Sequence, residues 1–304
     1  MSEEFFSLLR RYPDANEKDM TIEEIKNTYE YKQIQSLDKL YLKYFNRHID
    51  PSGLLAYLEV PIDEVENTIK NKHEPGKVNS QFSEYVKHSE LFYTSKEFEL
   101  PRTSKKAAVI VETRTNPLLE YSVKNALHYL KESWSLYIFH GYENEEYVKE
   151  LSETIENINF INLCTDTLTI NDYNNLLTKP LFWNAIDAEH VLIFQTDSIM
   201  FRSGIESYMP FDYIGAPWRD GRVGNGGFSL RKKSKMLNII KEYSRPEWEN
   251  EDEYFSRHCK NKPNCKMASS FCVEHVNNSN PLATHQGWCF HKNILTSRMA
   301  LYDD

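Results

Sequence analysis

The sequence predicts an α/β domain, a mixed and mostly parallel sheet covered by helices, preceded by an all-helical domain. Three observations carry this. The first 95 residues place apolar side chains at helical spacing, as in Leu37, Leu40, Tyr41, Tyr44 and Phe45. Near residue 100 the period changes, and Ala107-Ala108-Val109-Ile110-Val111 is a continuous apolar run of the kind buried on both faces of a sheet. From there short apolar strands alternate with helical segments, the pattern of parallel strands joined by crossover helices.

Taken in order, residues 1–95 read as a helical accessory domain with two marked helix starts. Asp50-Pro51 offers an N-cap followed by proline, and Val60-Pro61-Ile62-Asp63-Glu64 offers proline followed by acids that favour the positive end of a helix. Residues 96–106 are polar, contain Pro101, and read as a linker. Residues 107–304 form the sheet domain. Strands are expected at 107–111, 136–139, 160–163 and 191–194, with helices near 143–155 and 172–186. Ligands of such sheets bind at the carboxyl ends of the strands, so the segments after each strand carry the functional reading.

Composition narrows the function. Asp and Glu total 45 against 36 Lys and Arg, a net charge of −9 that argues against a protein tracking nucleic-acid phosphates. No apolar run approaches the roughly 20 residues that span a bilayer, and Met1-Ser2-Glu3-Glu4 opens no signal peptide. The expectation is a cytoplasmic protein without a transmembrane segment. Five cysteines, an odd number, then read as free thiols.

The strand ends are polar. After the first strand comes Glu112-Thr113-Arg114-Thr115-Asn116-Pro117, able to hold a base or a phosphate, or to be an ordinary capped loop. After 191–194 comes Gln195-Thr196-Asp197-Ser198. A carboxylate at the end of a buried strand is costly unless paired or bound to a cation, although aspartate also suits a plain turn. Val223-Gly224-Asn225-Gly226-Gly227-Phe228 allows close backbone approach to a ligand, or makes a hairpin or bulge. It is neither a P-loop nor a dinucleotide fingerprint. Trp248-Glu249-Asn250-Glu251-Asp252-Glu253 opens a helix whose first acids suit the dipole or serve as bases. His285 lies late, in Thr284-His285-Gln286-Gly287-Trp288, as a ligand or a structural histidine. The aromatics Trp218, Phe228, Trp248 and Tyr254 suit either sugar stacking or the core.

The order of these pieces resembles the GT-A glycosyltransferases, whose Rossmann-like sheet carries an Asp-x-Asp metal motif, a glycine loop, an x-Glu-Asp motif and a C-terminal His. More narrowly it resembles a glycosyltransferase-like family of bacteria, fungi and large DNA viruses. The carrying segments are Val-Glu-Thr-Arg (111–114), Phe-Gln-Thr-Asp-Ser (194–198), Tyr-Ile-Gly-Ala-Pro-Trp (213–218), Gly-Asn-Gly-Gly-Phe-Ser-Leu-Arg (224–231), Glu-Asp-Glu-Tyr-Phe (251–255) and His285. The resemblance implies that Asp197 and His285 hold Mn²⁺ or Mg²⁺, with Gln195 standing where an aspartate is usual. It implies that Thr113, Arg114, Gln195, Thr196, Gly226 and Gly227 meet a nucleotide-sugar donor, a UDP-sugar. Glu251 and Asp252 fall on the catalytic motif, with Asp252 matching the general base of inverting members. The implied reaction transfers a hexose to a hydroxyl of a glycan or protein acceptor, as in glycan biosynthesis. Residues 38–58, with Tyr44-Phe45-Asn46-Arg47-His48-Ile49-Asp50-Pro51-Ser52-Gly53, Leu54 and Tyr57, resemble a small bacterial helical domain. That likeness implies a docking or spacer module, a surface for partner proteins or for self-association.

Three rivals remain open. Gln195 in the metal motif suits a non-catalytic carbohydrate- or protein-binding module on a degenerate transferase fold. Cys259, Cys265, Cys272 and His275 suit structural zinc, without a close Cys-x-x-Cys pair. A nucleotidyltransferase would want a basic glycine loop early in the sheet, where this chain has Glu-Thr-Arg.

Overall fold

In the computed structural model the described residues are 2–45, 49, 54, 57–72, 80–218, 224–259, 265–267, 270–274 and 280–286. The chain divides into two compact units. One comprises residues 1–77 with 169–174 and 245–250, and the other comprises 78–168, 175–244 and 251–304.

The first unit contains α1 (Ser2–Leu9), α2 (Ile22–Asn27), α3 (Tyr29–Phe45) and α4 (Ile62–Lys72). Leu37, Leu40 and Tyr41 of α3 are buried with Phe5, Leu9, Ile25, Val65 and Ile69, so the helical spacing becomes a core. Thr21 and Glu24 form a capping box on α2. The start expected at Pro61 is present, with Asp63 and Glu64 in the first turn of α4. The start expected at Asp50-Pro51, and most of the segment resembling a bacterial helical domain, lie outside the described residues.

In the second unit, α5 (Ser80–Thr94) leads through β1 (Phe98–Glu99) to β2 (Lys106–Val111), α6 (Leu118–Leu130) and β3 (Ser135–His140). Then follow α7 (Glu145–Lys149), β4 (Ile155–Glu156), β5 (Asn159–Asn162), α8 (Ile170–Leu177, reaching into the first unit), α9 (Pro180–Asn184), β6 (His190–Phe194) and β7 (Ile199–Met200). The chain continues through β8 (Tyr213–Ala216), β9 (Asn225–Lys232), α10 (Lys233–Glu242), α11 (Glu251–Cys259), β10 (Cys265–Met267), β11 (Cys272–Val273) and β12 (Ala283–Thr284). The main sheet has seven strands in the order β10-β8-β9-β6-β2-β3-β5. Neighbours pair in parallel except where β9 lies between β6 and β8 and runs against both. This is the mixed, mostly parallel α/β sheet that the alternation predicts. A small sheet, β11-β12-β7, accompanies it.

Strand alternation sorts the two faces. Ala108, Ile110, Leu136, Ile138, Leu192 and Phe194 share one core with Leu119, Val123 and Leu127 of α6. Beyond that core Phe139 meets Phe182 at 4.7 Å, and Trp183 meets Phe255 at 6.0 Å. β9 fixes the position of the site. Its Phe228 pairs with Phe194 at the end of β6, and its Asn225 pairs with Ala216 at the end of β8. Because β9 runs the other way, its first residues lie at the carboxyl ends of its neighbours.

Four expectations differ from the structure. The boundary between compact units falls at 77/78 rather than 95, because α5 buries Tyr85 and Tyr93 in one cluster with Tyr121 of α6 and Phe201. Residues 96–106 are not a free linker, since β1 pairs with β4 and Leu100 is buried. The helix expected near 143–155 stops at Lys149 and gives way to a 3₁₀ turn over Glu150–Glu153 and then β4. The helix expected near 172–186 is two helices, because Pro180 starts a new one.

Candidate active site

Three groups of side chains gather at the carboxyl edge of the main sheet. The first follows β2. Glu112 is buried and accepts two bonds from the Arg114 side chain, Nε to Oε1 at 2.8 Å and the terminal guanidinium nitrogen to Oε2 at 2.8 Å. The Arg114 backbone N–H at 3.0 Å and Asn116 Nδ2 at 3.0 Å complete its partners. Burial works to raise the Glu112 carboxyl, but Arg114 and Asn116 outweigh it and hold it below its ordinary value. The Arg114 side chain is 70 % exposed, and it also feels the negative charge of Asp197. Asn116 ties this loop to the end of β6 through Thr196 Oγ1 at 2.9 Å, and Ser122 of α6 donates to the Thr196 carbonyl at 2.6 Å. Thr113 is buried, with its Cβ 3.1 Å from where a side chain on Gly141 would begin.

The second group follows β6. The N–H of Gln195 and the hydroxyl of Ser198 both donate to the Gly227 carbonyl, at 3.0 and 2.9 Å. The turn carrying Asp197 is thereby latched to β9. His285 follows β12 and is held by its own N–H on the Val273 carbonyl at 3.0 Å. Its Nε2 is 3.0 Å from Gln195 Oε1 and 3.4 Å from Asp197 Oδ1, and its Nδ1 is 3.7 Å from Glu274 Oε1. Burial opposes charge on this imidazole, but Asp197 and Glu274 prevail and raise it to about 10.

The third group joins β9 to α11. Arg231 is fully buried and pairs with both oxygens of Glu251, at 2.5 and 3.0 Å. Asp252 Oδ2 accepts the Gly226 N–H at 2.9 Å, and its Oδ1 accepts the Glu253 N–H at 2.8 Å. Burial first and the neighbouring Glu251 charge second push Asp252 up to about 7. Two adjacent glycines separate the second and third groups. A Cβ on Gly227 would strike the His285 ring, and one on Gly226 would strike Glu251 Oε1 and stand 2.9 Å from the Asp252 Cβ.

All ten residues singled out in the sequence are therefore placed. Gln195, Asp197 and His285 meet directly, as do Glu251 and Asp252 with Gly226. Thr113, Arg114 and Thr196 lie on the neighbouring loops. Glu251, read as a second catalytic acid, is instead occupied by Arg231. Of the aromatics, Phe228 and Tyr254 are core residues, and Trp248 packs in the helical unit against Phe6, the rings tilted at 5.4 Å. Arg231, Asn116 and Glu274 are site residues that the sequence reading missed. An arginine one residue beyond the apolar Phe228 and Leu230 is the available signal.

Among the described residues no three His, Cys, Asp or Glu side chains form a preformed metal cage. The donor set nonetheless fits a hard divalent ion. Asp197 Oδ1 is buried with no hydrogen-bond partner, beside an amide oxygen and the His285 imidazole, which would give up its Nε2 proton on coordinating. Such ions take one or two carboxylates and leave other positions to water and substrate phosphates. For the zinc rival, Cys259 is disulfide-bonded, which removes a thiolate ligand and corrects the all-free-thiol expectation. Cys164 and Cys272 are free thiols, whereas His275 and the Cys265 side chain lie outside the described residues.

Residues 157–285 match the model of a family described as "Protein of unknown function (DUF5672)". That span holds every candidate residue except Thr113 and Arg114. No curated protein matches the chain. Among solved structures, the chain is similar to the apo form of the glycosyltransferase GlyE of Streptococcus pneumoniae TIGR4, with 12% identity and a TM-score of 0.44, over 66% of this chain and 61% of that one. It is also similar to mouse xyloside xylosyltransferase 1, apo form, with 10% identity and a TM-score of 0.43, over 60% of this chain and 97% of that one. The chain thus spans less than two thirds of the GlyE chain. No helix among the described residues is long and apolar enough to cross a membrane.

Proposed function

We propose that this chain is a metal-dependent glycosyltransferase that moves a hexose from a UDP-sugar to a hydroxyl of a glycan or protein acceptor, with inversion. The observation that carries the reading is the meeting of two chemistries at Gly226-Gly227: a carboxylate–imidazole–amide donor set against one glycine, and a carboxylate poised near neutrality on the N–H of the other. The order of motifs along the chain supports the same reading.

Asp197 and His285, with the Gln195 amide oxygen, would hold Mn²⁺ or Mg²⁺, and when bound such an ion neutralises the charge that develops on a diphosphate leaving group. Arg114, kept rigid by Glu112 and Asn116, presents a permanent positive charge to the donor phosphates. Thr113 and Thr196 bracket the same loops and suit the nucleoside end. Gly226 and Gly227 leave room for Glu251, Asp252 and the His285 ring, so that the proposed base and metal ligand sit side by side against β9. Asp252 takes the proton of the acceptor hydroxyl as that oxygen attacks the anomeric carbon, and a base poised near neutral pH serves this step well.

A non-catalytic binding module is the second reading, favoured by one observation. The neutral Gln195 is engaged with His285 at the place where the resemblance would put a carboxylate. Asp197→Ala separates the readings from an inert fold. Under the proposal it abolishes Mn²⁺-dependent binding of UDP in calorimetry, and wild-type protein slowly releases UDP from a UDP-sugar only with the metal. Unchanged UDP affinity and Mn²⁺ response in Asp197→Ala would sink the metal assignment. Tight UDP binding without any release in wild type would favour the module.

A further inference from the structure

A buried arginine in the middle of a strand needs a reason, because burying an ion pair rarely adds stability over an apolar pair of the same size. Arg231 is 0 % exposed, and Glu251 is nearly as deep. The guanidinium lies 4.9 Å from the Tyr213 ring centroid and 5.5 Å from that of Phe255, and its Nε donates to Ser229 Oγ at 2.9 Å. Ser229 in turn donates to the Gly226 carbonyl at 3.1 Å. Gly226 is therefore held twice. Its carbonyl is tied to the Arg231 network, and its N–H is tied to Asp252, the residue that follows Glu251 in the chain.

We propose that Arg231 is a positioning residue that acts through Glu251 and Ser229, locking the first turn of α11 against β9 so that Asp252 stays seated on the Gly226 amide. The interest of the arrangement rests on the glycosyltransferase reading, in which Asp252 is the base, but the arrangement itself does not. Among the described residues, the charged and titratable groups around Asp252 are Glu251 and Glu253 on its own helix, Arg231 on β9 and Tyr213 on β8. Tyr213 donates its hydroxyl to the Gly224 carbonyl at 2.8 Å, and burial holds it far above its ordinary range, so it stays neutral. Glu251 and Arg231 act on Asp252 in opposite senses, and their fork-to-fork geometry keeps those influences fixed. A lysine supplies the same charge without the fork.

The test reads the Gly226 amide, which needs no substrate. Full-length protein labelled with ¹⁵N-glycine is titrated by NMR, and Asp252→Asn identifies the signal by abolishing its titration. In the wild type the Gly226 signal is expected to titrate with Asp252, at a midpoint near 7. Glu251→Gln removes a like charge and moves that midpoint down by about one pH unit. Arg231→Met alone removes the countercharge of a buried carboxylate and risks unfolding, so Arg231→Met/Glu251→Met is measured beside it as a neutral, apolar pair. In that folded double variant, and in Arg231→Lys, exchange of the Gly226 amide with solvent speeds up by about tenfold or more at unchanged global melting, as expected for local opening. A wild-type midpoint in Glu251→Gln, or wild-type Gly226 exchange in the folded double variant and in Arg231→Lys, overturns the proposal. The base reading fails separately, by Asp252→Asn retaining turnover on a UDP-sugar.

Discussion

The imidazole of His285 occupies the space in which a side chain on Gly227 would begin. The pairing explains why a strand residue in the middle of an α/β core is glycine, since its φ requires no left-handed conformation. Gly227→Ala has to push the ring away from Gln195 and Asp197. Overpacking of this kind costs about 1–3 kcal/mol. Under the proposed function it also weakens Mn²⁺-dependent UDP binding by about tenfold or more, because the donor set is displaced. Calorimetry with and without Mn²⁺, beside a melting curve, checks both. A loss of stability at unchanged metal-dependent affinity would place His285 outside the metal site.

Glu112 gives a prediction about pH. Its carboxyl titrates below the ordinary 4.5 in the folded protein because of Arg114 and Asn116. A group with a depressed folded value stabilises the fold above its unfolded value, and that contribution disappears as pH falls through the folded value. Glu112→Gln therefore destabilises at pH 7, by about 1 kcal/mol given the exposure of Arg114. That is a fall in Tm of about 2–4 °C. The gap between wild type and variant closes as pH falls below the ordinary carboxylate range, through the depressed folded value. A gap that is constant from pH 7 to pH 3 would mean that the carboxylate charge contributes nothing and the bonds act as neutral ones.

Much of this architecture is legible in the sequence because burial on both faces writes itself as uninterrupted apolar runs. The strands expected at 107–111, 136–139, 160–163 and 191–194 are present within a residue at each end. β9 is different. Gly226-Gly227-Phe228-Ser229-Leu230-Arg231 reads as a ligand-facing glycine loop or as a hairpin or bulge, because two glycines and a charge conceal the alternation of Phe228 and Leu230 into the core. Glycines in such a segment suit close approach of a ligand, whereas here His285, Glu251 and Asp252 fill the space beside them. Glu251 was read as catalytic because its partner, Arg231, is twenty residues away and meets it only through the fold. The Asp197–His285 contact spans almost ninety residues, and only the order of motifs hinted at it.

The boundary near residue 78 makes a truncation experiment decisive. Tyr85 and Tyr93 are completely buried, Ser89 and Tyr121 share a hydrogen bond of 2.9 Å, and Lys124 donates to the Thr94 carbonyl at 2.6 Å. A chain starting at residue 100 loses all of these, and each large buried aromatic removed from a core costs about 3–5 kcal/mol. A chain starting at residue 78 keeps them. The longer one is expected to melt cooperatively and well above the shorter one. Equal melting temperatures would assign α5 to the helical unit, as the sequence boundary at residue 95 implies.

The sharpest prediction concerns Asp252. It is expected to take the acceptor proton, and Glu251 and Glu253 are not. Glu251 is committed to Arg231 by two bonds, so it is not available as a base. On a helix each step turns about 100 degrees, which carries Glu253 away from the face that Asp252 presents to Gly226. Asp252→Asn keeps shape and removes basicity, and loss of a general base typically costs about 10²–10⁴ in rate. Stability moves the other way. An acid whose folded value is raised to about 7 from an ordinary 3.8 makes the fold progressively less stable as pH rises between those values. Asp252→Asn removes that penalty, so its Tm should exceed the wild type's at pH 8 and match it more closely near pH 4. Activity and stability thus diverge at one residue, as is common where a site holds a carboxylate in an unfavourable place. Turnover of UDP-sugar, UDP affinity and melting at both pH values are compared for Asp252→Asn, Glu251→Gln and Glu253→Gln. Near-wild-type turnover in Asp252→Asn, with its Tm raised at pH 8, would leave the half-buried carboxylate as described and move the base elsewhere. Lost turnover with unchanged UDP affinity and a raised Tm at pH 8 is the outcome that the geometry of Asp252 and Gly226 demands.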